Sequence, residues 1–127
     1  MSKLCPCHSQ ITYNECCFPY LNGDKIPVSI EALMRSRYTA YHNHNMAYII
    51  HTMSGKALDS FYASDPSNSS SIQWVKLEVH SVNQLDQEGT VEFVAHYLLE
   101  NIRYTLHEKS FFIKQNGRWL YVDGQLF

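Results

Sequence analysis

Beyond position 17 the chain contains no cysteine, and none of its 127 residues belongs to an apolar run near the ~20 residues that a membrane-crossing helix needs. A membrane span is therefore not expected. Cationic charge is also short: 10 Lys and Arg stand against 12 Asp and Glu, a formal net charge of −2, whereas a broad phosphate-backbone binder leaves a basic footprint. Nucleic acid is not an expected partner. The five glycines form no phosphate-cradling loop, and no nucleophile elbow or Ser/His/Asp set assembles from spacing. The histidines at 8, 42, 44, 51, 80, 96 and 107 make no metal-binding repeat with carboxylates. Catalysis is not readable. Residues 1–4 carry no apolar stretch of leader length, so the expectation is a reduced, cytoplasmic protein.

What is present is sulfur at one end: Cys5-Pro6-Cys7 and Cys16-Cys17. Two close pairs joined by a short polar loop can converge on one ion, and four thiolates in a tetrahedron suit zinc. The rival readings are two disulfides or a set of free thiols. Against disulfides, Cys5 and Cys7 are too near for easy bridging, and a vicinal Cys16–Cys17 link needs a strained ring. One structural Zn²⁺ on Cys5, Cys7, Cys16 and Cys17 is the leading expectation.

Cys5-Pro6-Cys7-His8-Ser9-Gln10, closed by Cys16-Cys17, resembles the SEC-C zinc motif, named for the carboxyl-terminal tail of the SecA translocation ATPase. The usual motif has Gly-Ser-Gly where this chain has His8-Ser9-Gln10. Glycine reaches positive φ freely, histidine at some cost and glutamine less readily, so a differently shaped loop is expected, with His8 as an outside candidate for a ligand. Further blocks, Glu31-Ala32-Leu33-Met34-Arg35-Ser36-Arg37-Tyr38, then Glu108-Lys109-Ser110-Phe111-Phe112, then Gly117-Arg118-Trp119-Leu120-Tyr121-Val122-Asp123-Gly124, resemble the bacterial YchJ-like family of uncharacterised proteins. That resemblance implies a SEC-C element on a cone-shaped α+β domain similar to nuclear transport factor two. It implies no activity.

Turn residues Asn22-Gly23-Asp24 place a boundary, giving a knuckle over 1–22 and a main domain over 28–127. Phe18, Tyr20 and Leu21 are apolar where a free linker would be polar, so the knuckle is expected to dock. Ser29 caps a helix whose Ile30, Leu33, Met34, Tyr38 and Tyr41 recur at helical spacing, with Glu31 in the first turn. A second helix follows Asn43 or Asn45 and carries Met46, Ala47, Ile49, Ile50 and Met53; a third spans 56–62; residues 64–71 read as a loop. The period then becomes two, in Val75, Leu77, Val79 and in Val91, Phe93, Ala95, Tyr97. Asp86-Gln87-Glu88-Gly89 and Asn116-Gly117 read as turns, the latter a strong hairpin signal. Three helices on a curved, antiparallel four-stranded sheet is the expected α+β architecture.

A cone encloses a cavity, so inward polar residues matter. Arg37 falls within the apolar stripe of the first long helix, and Glu108 shares its strand face with Leu106, Ser110 and Phe112. The expectation is an Arg37–Glu108 pair at the cavity floor, bordered by Tyr38, Trp74 and Tyr97, with Ser110 close by; a pair that only orients helix against sheet is the alternative. His51 follows an apolar helical run within reach of the cavity mouth, but a lone histidine is more often a packed or surface group than a base. Function divides accordingly. The knuckle binds a protein partner, as the resemblance to the SecA element implies, or the cavity binds a small molecule using Arg37 and Glu108, with or without catalysis. A third reading is a homodimer through the exposed sheet face.

Overall fold

The computed structural model describes residues 3–63 and 72–127. The knuckle contains a 3-10 turn at Tyr13–Glu15 and a short helix, α1 (Phe18–Leu21), with proline in its first turn, where a missing N–H costs nothing. Three helices follow, α2 (Ile30–His42), α3 (Met46–His51) and α4 (Gly55–Ala63). Then come four strands, β1 (Ile72–Gln84), β2 (Glu88–Leu99), β3 (Ile102–Gln115) and β4 (Arg118–Leu126). The expected loop over 64–71 lies outside the described residues.

Local chemistry sets these boundaries. Ser29 is extended at φ −136° and its Oγ accepts the Ala32 amide at 3.1 Å, which starts α2; Asn45 Oδ1 accepts the Tyr48 amide at 3.1 Å and starts α3. Met53, expected inside the second helix, lies just past it and bridges Tyr121 on β4. Asn116 and Gly117, at φ 53° and 78°, make the two-residue turn between β3 and β4. The β1–β2 turn is tighter than expected, since Glu88 and Gly89 already belong to β2 and Gln84 pairs with Gly89. The β2–β3 turn uses Glu100 and Asn101, both at positive φ, a turn that the sequence did not announce because glutamate seldom adopts that backbone.

The sheet is an antiparallel meander in the order β1-β2-β3-β4. Its inner face meets α2: Ile30, Leu33, Met34 and Tyr38 pack with Leu77, Val91, Ala95, Phe112 and Trp119 in one core. Helix and sheet approach closely at Gly89, where a Cβ would lie 2.7 Å from both Ile30 Cδ1 and the Asn83 carbonyl. Cys5, Cys7 and Cys17 belong to that same core, so the knuckle is docked, as its apolar exit segment led one to expect. No described helix is long and apolar enough to cross a membrane.

Candidate metal centre and cavity

The knuckle begins with a small hairpin: Leu4 bridges Thr12, and the Cys5 amide donates to the Ile11 carbonyl at 2.8 Å. This fold-back carries Cys5 and Cys7 toward Cys16 and Cys17 at the start of α1. All four are free thiols, and their sulfurs lie within 4.8 Å of one another, with Cys7–Cys16 at 3.6 Å and Cys16–Cys17 at 3.9 Å. A tetrahedron with Zn–S bonds of ~2.3 Å has sulfurs ~3.8 Å apart, so the spacing and the all-sulfur donor set fit one tetrahedral ion. His8 is not among the converging atoms. Its Nε2 donates to the Val75 carbonyl at 3.2 Å, at a register shift in β1 where the bulged residue is left without a ladder partner.

The loop between the pairs corrects an expectation. His8 and Gln10 sit at φ 64° and 70°, so the chain adopts the left-handed turns that glycine would allow, without glycine. Ser9 Oγ lies 3.1 Å from Cys16 Sγ and accepts the Ile11 amide, which pins the loop across the sulfurs. Four thiolates cannot crowd together unaided. Hydrogen bonds from Cys17 and Cys7 hold the Cys5 thiol well below the usual range, bonds to Cys5 and Cys7 push Cys17 up, and burial raises Cys16 to about 11.

The cluster faces inward. Cys7 is fully buried, Cys5 Sγ lies 3.7 Å from Thr39 Oγ1 on α2, and Arg35 Nη1 donates to the Cys7 carbonyl at 2.7 Å while its Nε binds Glu31 at 3.0 Å. The knuckle therefore braces the outer side of α2. The other side of α2 walls a cavity.

That cavity has a volume of about 160 Å³ and is lined by Met34, Arg37, Tyr38 and Tyr41 from α2, and by residues of all four strands that include Trp74, Glu108, Ser110 and Tyr121. Arg37 and Glu108 both reach it, but the expected direct pair is not formed. Arg37, 6 % exposed, donates through Nη1 to the Ile49 carbonyl at 2.9 Å and to Thr52 Oγ1 at 2.7 Å, and its guanidinium lies 4.7 Å from the centre of the Tyr121 ring. Burial pushes the Arg37 pKa down. Glu108 Oε2 accepts from Ser110 Oγ at 2.6 Å and from Tyr121 OH at 2.9 Å. Tyr121 thus stands between cation and carboxylate, offering its ring to one and its hydroxyl to the other; burial, then the Glu108 charge, raise its pKa. Gly124 makes room for this bond, since a Cβ there would lie 2.4 Å from Tyr121 OH and 2.7 Å from Glu108 Oε2.

One further placement differs from expectation, and a second follows the commoner course for a lone histidine. Tyr97 is not among the residues lining the cavity; its ring packs against Trp74 and stacks on Tyr104, at centroid separations of 5.1 and 5.5 Å. His51 accepts from Arg118 Nη1 at 2.6 Å in an exposed setting, away from the cavity. The place of Tyr121 between Arg37 and Glu108 follows only from the register of β4 against β3, where Phe112 pairs with Tyr121 across a bulge. Tyr38 lines the cavity and carries a buried hydroxyl with no partner among the described residues.

Two family models match this arrangement: the SEC-C motif over residues 1–19, and the YchJ middle, nuclear-transport-factor-2-like domain over residues 29–124. The chain belongs to the YchJ family. A UPF0225 protein of Serratia proteamaculans is 37% identical over 98% of this chain and 84% of its own length, and a UPF0225 protein YchJ of Shigella dysenteriae matches at the same identity and coverage. The solution structure of a SEC-C motif containing protein from Rhodopseudomonas palustris superposes with a TM-score of 0.85 at 33% identity, covering 100% of this chain and 99% of that one. YchJ membership accounts for the cysteine knuckle and the cone domain together, in one chain and in this order.

Proposed function

We propose that the chain is a small-ligand-binding protein in which one structural Zn²⁺, held by Cys5, Cys7, Cys16 and Cys17, braces the helix that walls the cavity. An all-thiolate, four-coordinate site suits zinc, leaves no open position for substrate and contributes folding energy. The observation that carries the ligand reading is a carboxylate, Glu108, fixed by two hydroxyl donors in a cavity otherwise walled mainly by apolar and aromatic side chains. A dry cavity of ~150 Å³ accommodates benzene, so the fitting class is a compact, single-ring or similarly sized molecule. Its N–H or O–H donor would meet Glu108, with its body against Met34 and Trp74.

Ligand-observed NMR with one-ring amines, phenols and amides tests this. Native protein should bind members of the set, Ala95→Leu should fill the cavity and abolish binding, and Glu108→Gln should weaken donor-bearing members roughly 10-fold or more, the worth of a hydrogen bond to a charged group. Equal signals from native protein and Ala95→Leu would end the proposal.

A second reading, a protein partner on the knuckle, is favoured by the exposed apolar side chains of Leu4, Ile11 and Phe18. A partner that co-purifies with the native chain and is lost from Leu4→Asp/Ile11→Asp, with metal content unchanged, supports it. Identical co-purification by both forms removes it.

A further inference from the structure

The outward face of the sheet carries a second cluster of ligating side chains. Val91 and Ala95 point into the core, so Glu92 and His96 point away from it; Glu108 and Ser110 face the cavity, so His107 points away. His80 joins them through a register shift between Val79 and Ser81, the kind of bulge that re-aims one side chain. One ligating atom each from His80, Glu92 and His107 all lie within 4.8 Å of one another, drawn from three different strands. His107 Nε2 and Glu92 Oε2 are already 2.8 Å apart.

The surroundings hold these groups in place. Glu78 Oε2 bonds His96 Nε2 at 2.5 Å, and its other oxygen lies 4.0 Å from His80 Nε2, which places a further negative group beside the cluster. The His107 ring packs against Phe127 at 4.7 Å, and the Phe127 amide donates to the His107 carbonyl at 3.0 Å. Ligating imidazoles are commonly oriented by such outer carboxylates and packing partners.

We infer that His80, Glu92 and His107 form a surface site for a divalent first-row transition ion, separate from the four cysteines. Two imidazoles and one carboxylate make a donor set for nickel, zinc, copper or iron, too rich in nitrogen for calcium or magnesium and without the sulfur that draws the softest ions. Three protein donors leave coordination positions open, and the half-exposed setting leaves them accessible to water or to a ligand group. Binding breaks the hydrogen bond between His107 and Glu92: the Nε2 proton passes to solvent, or the ring takes the tautomer protonated at Nδ1, and the freed nitrogen and carboxylate oxygen each bond the ion.

Titration of the zinc-loaded protein with Ni²⁺ tests this, with cysteine-bound metal measured in parallel. The expected result is saturable uptake of one further equivalent without zinc release, with paramagnetic broadening confined to amides of β1–β3 around positions 80, 92 and 107. His80→Gln and His107→Gln should each lower the affinity by roughly 10- to 100-fold, the loss that even outer-shell changes bring about. His42→Gln/His44→Gln, at the exposed last residue of α2 and in the turn after it, should leave it unchanged. Non-saturating uptake, nickel entry only by displacement of zinc, or binding that survives the His80/His107 double variant would each overturn the site.

Discussion

In residues 3–22 the regular structure amounts to a three-residue turn and a four-residue helix, far below what holds itself together in water, whereas β1–β4 form one antiparallel ladder between sequence neighbours. Yet Cys5, Cys7 and Cys17 are packed as tightly as Leu33 or Val91, in the same core. The knuckle's backbone bonds are confined to turns, one small hairpin and a single helical turn, too short to hold alone, so its order also needs the convergence of four sulfurs and contact with α2. The cone has ladder and core but also a hollow beside α2, and the knuckle backs that helix from its other side. Each region supplies what the other lacks.

Removing the ion should therefore produce the largest effect, and an uneven one. Cys17→Ser takes a ligand from a position only 1 % exposed. The expected outcome is loss of bound metal, proteolytic sensitivity within 1–22, and a stability loss on the order of 5 kcal/mol, while the circular dichroism of the sheet persists. Melting and limited proteolysis of the two forms check it. A Cys17→Ser protein that melts like native would show that the cone does not depend on the knuckle.

The opposite break is made inside the cone. Arg37→Ala strips a buried cation from the Ile49 carbonyl, Thr52 and the Tyr121 ring, and should cost about 3 kcal/mol with metal content unchanged. Denaturant titration with metal analysis separates this from the first variant. Coincident loss of bound metal would mean that the two regions unfold as one.

Much of this was legible in the residues, and the limits have physical causes. Ser29, Asn45 and Asn116-Gly117 act locally, through caps and turns whose partners lie within a few positions, so their elements could be placed. The four cysteines needed only spacing and donor chemistry. Arg37 and Glu108 both line the cavity, but their separation by Tyr121 depends on a bulge between Phe111 and Phe112 that shifts β4 against β3. Tyr97 keeps the alternation of Val91, Phe93 and Ala95 yet falls outside the cavity lining, because strand parity fixes a face and not a position along it. His80 and His107 are 27 positions apart, and only strand pairing makes them neighbours.

A smaller effect belongs to the seam. Arg35 links α2 to the Cys7 carbonyl, so Arg35→Ala should cost about 1 to 2 kcal/mol and should also speed metal loss to a chelator. An effect on melting alone would assign Arg35 to the helix through its Glu31 pair, and an effect on metal loss alone would assign it to the knuckle.

The finest comparison lies within the knuckle loop. His8 and Gln10 both occupy the left-handed region, where a side chain costs ~1–2 kcal/mol relative to the right-handed one, and glycine removes that cost while adding flexibility to the unfolded chain. Gln10 has no hydrogen bond from its side chain among the described residues, so Gln10→Gly should stabilise the knuckle by about 0.5 to 1 kcal/mol, read as slower transfer of bound metal to a chelator. His8→Gly relieves the same strain but forfeits the bond to the Val75 carbonyl, so its net effect should be close to zero. If both substitutions accelerate transfer, the loop is held by side-chain contacts and not strained by them. A gain at position 10 without one at position 8 identifies His8 as a strut between knuckle and sheet, fixed to β1 at a backbone cost that Gln10 bears without return.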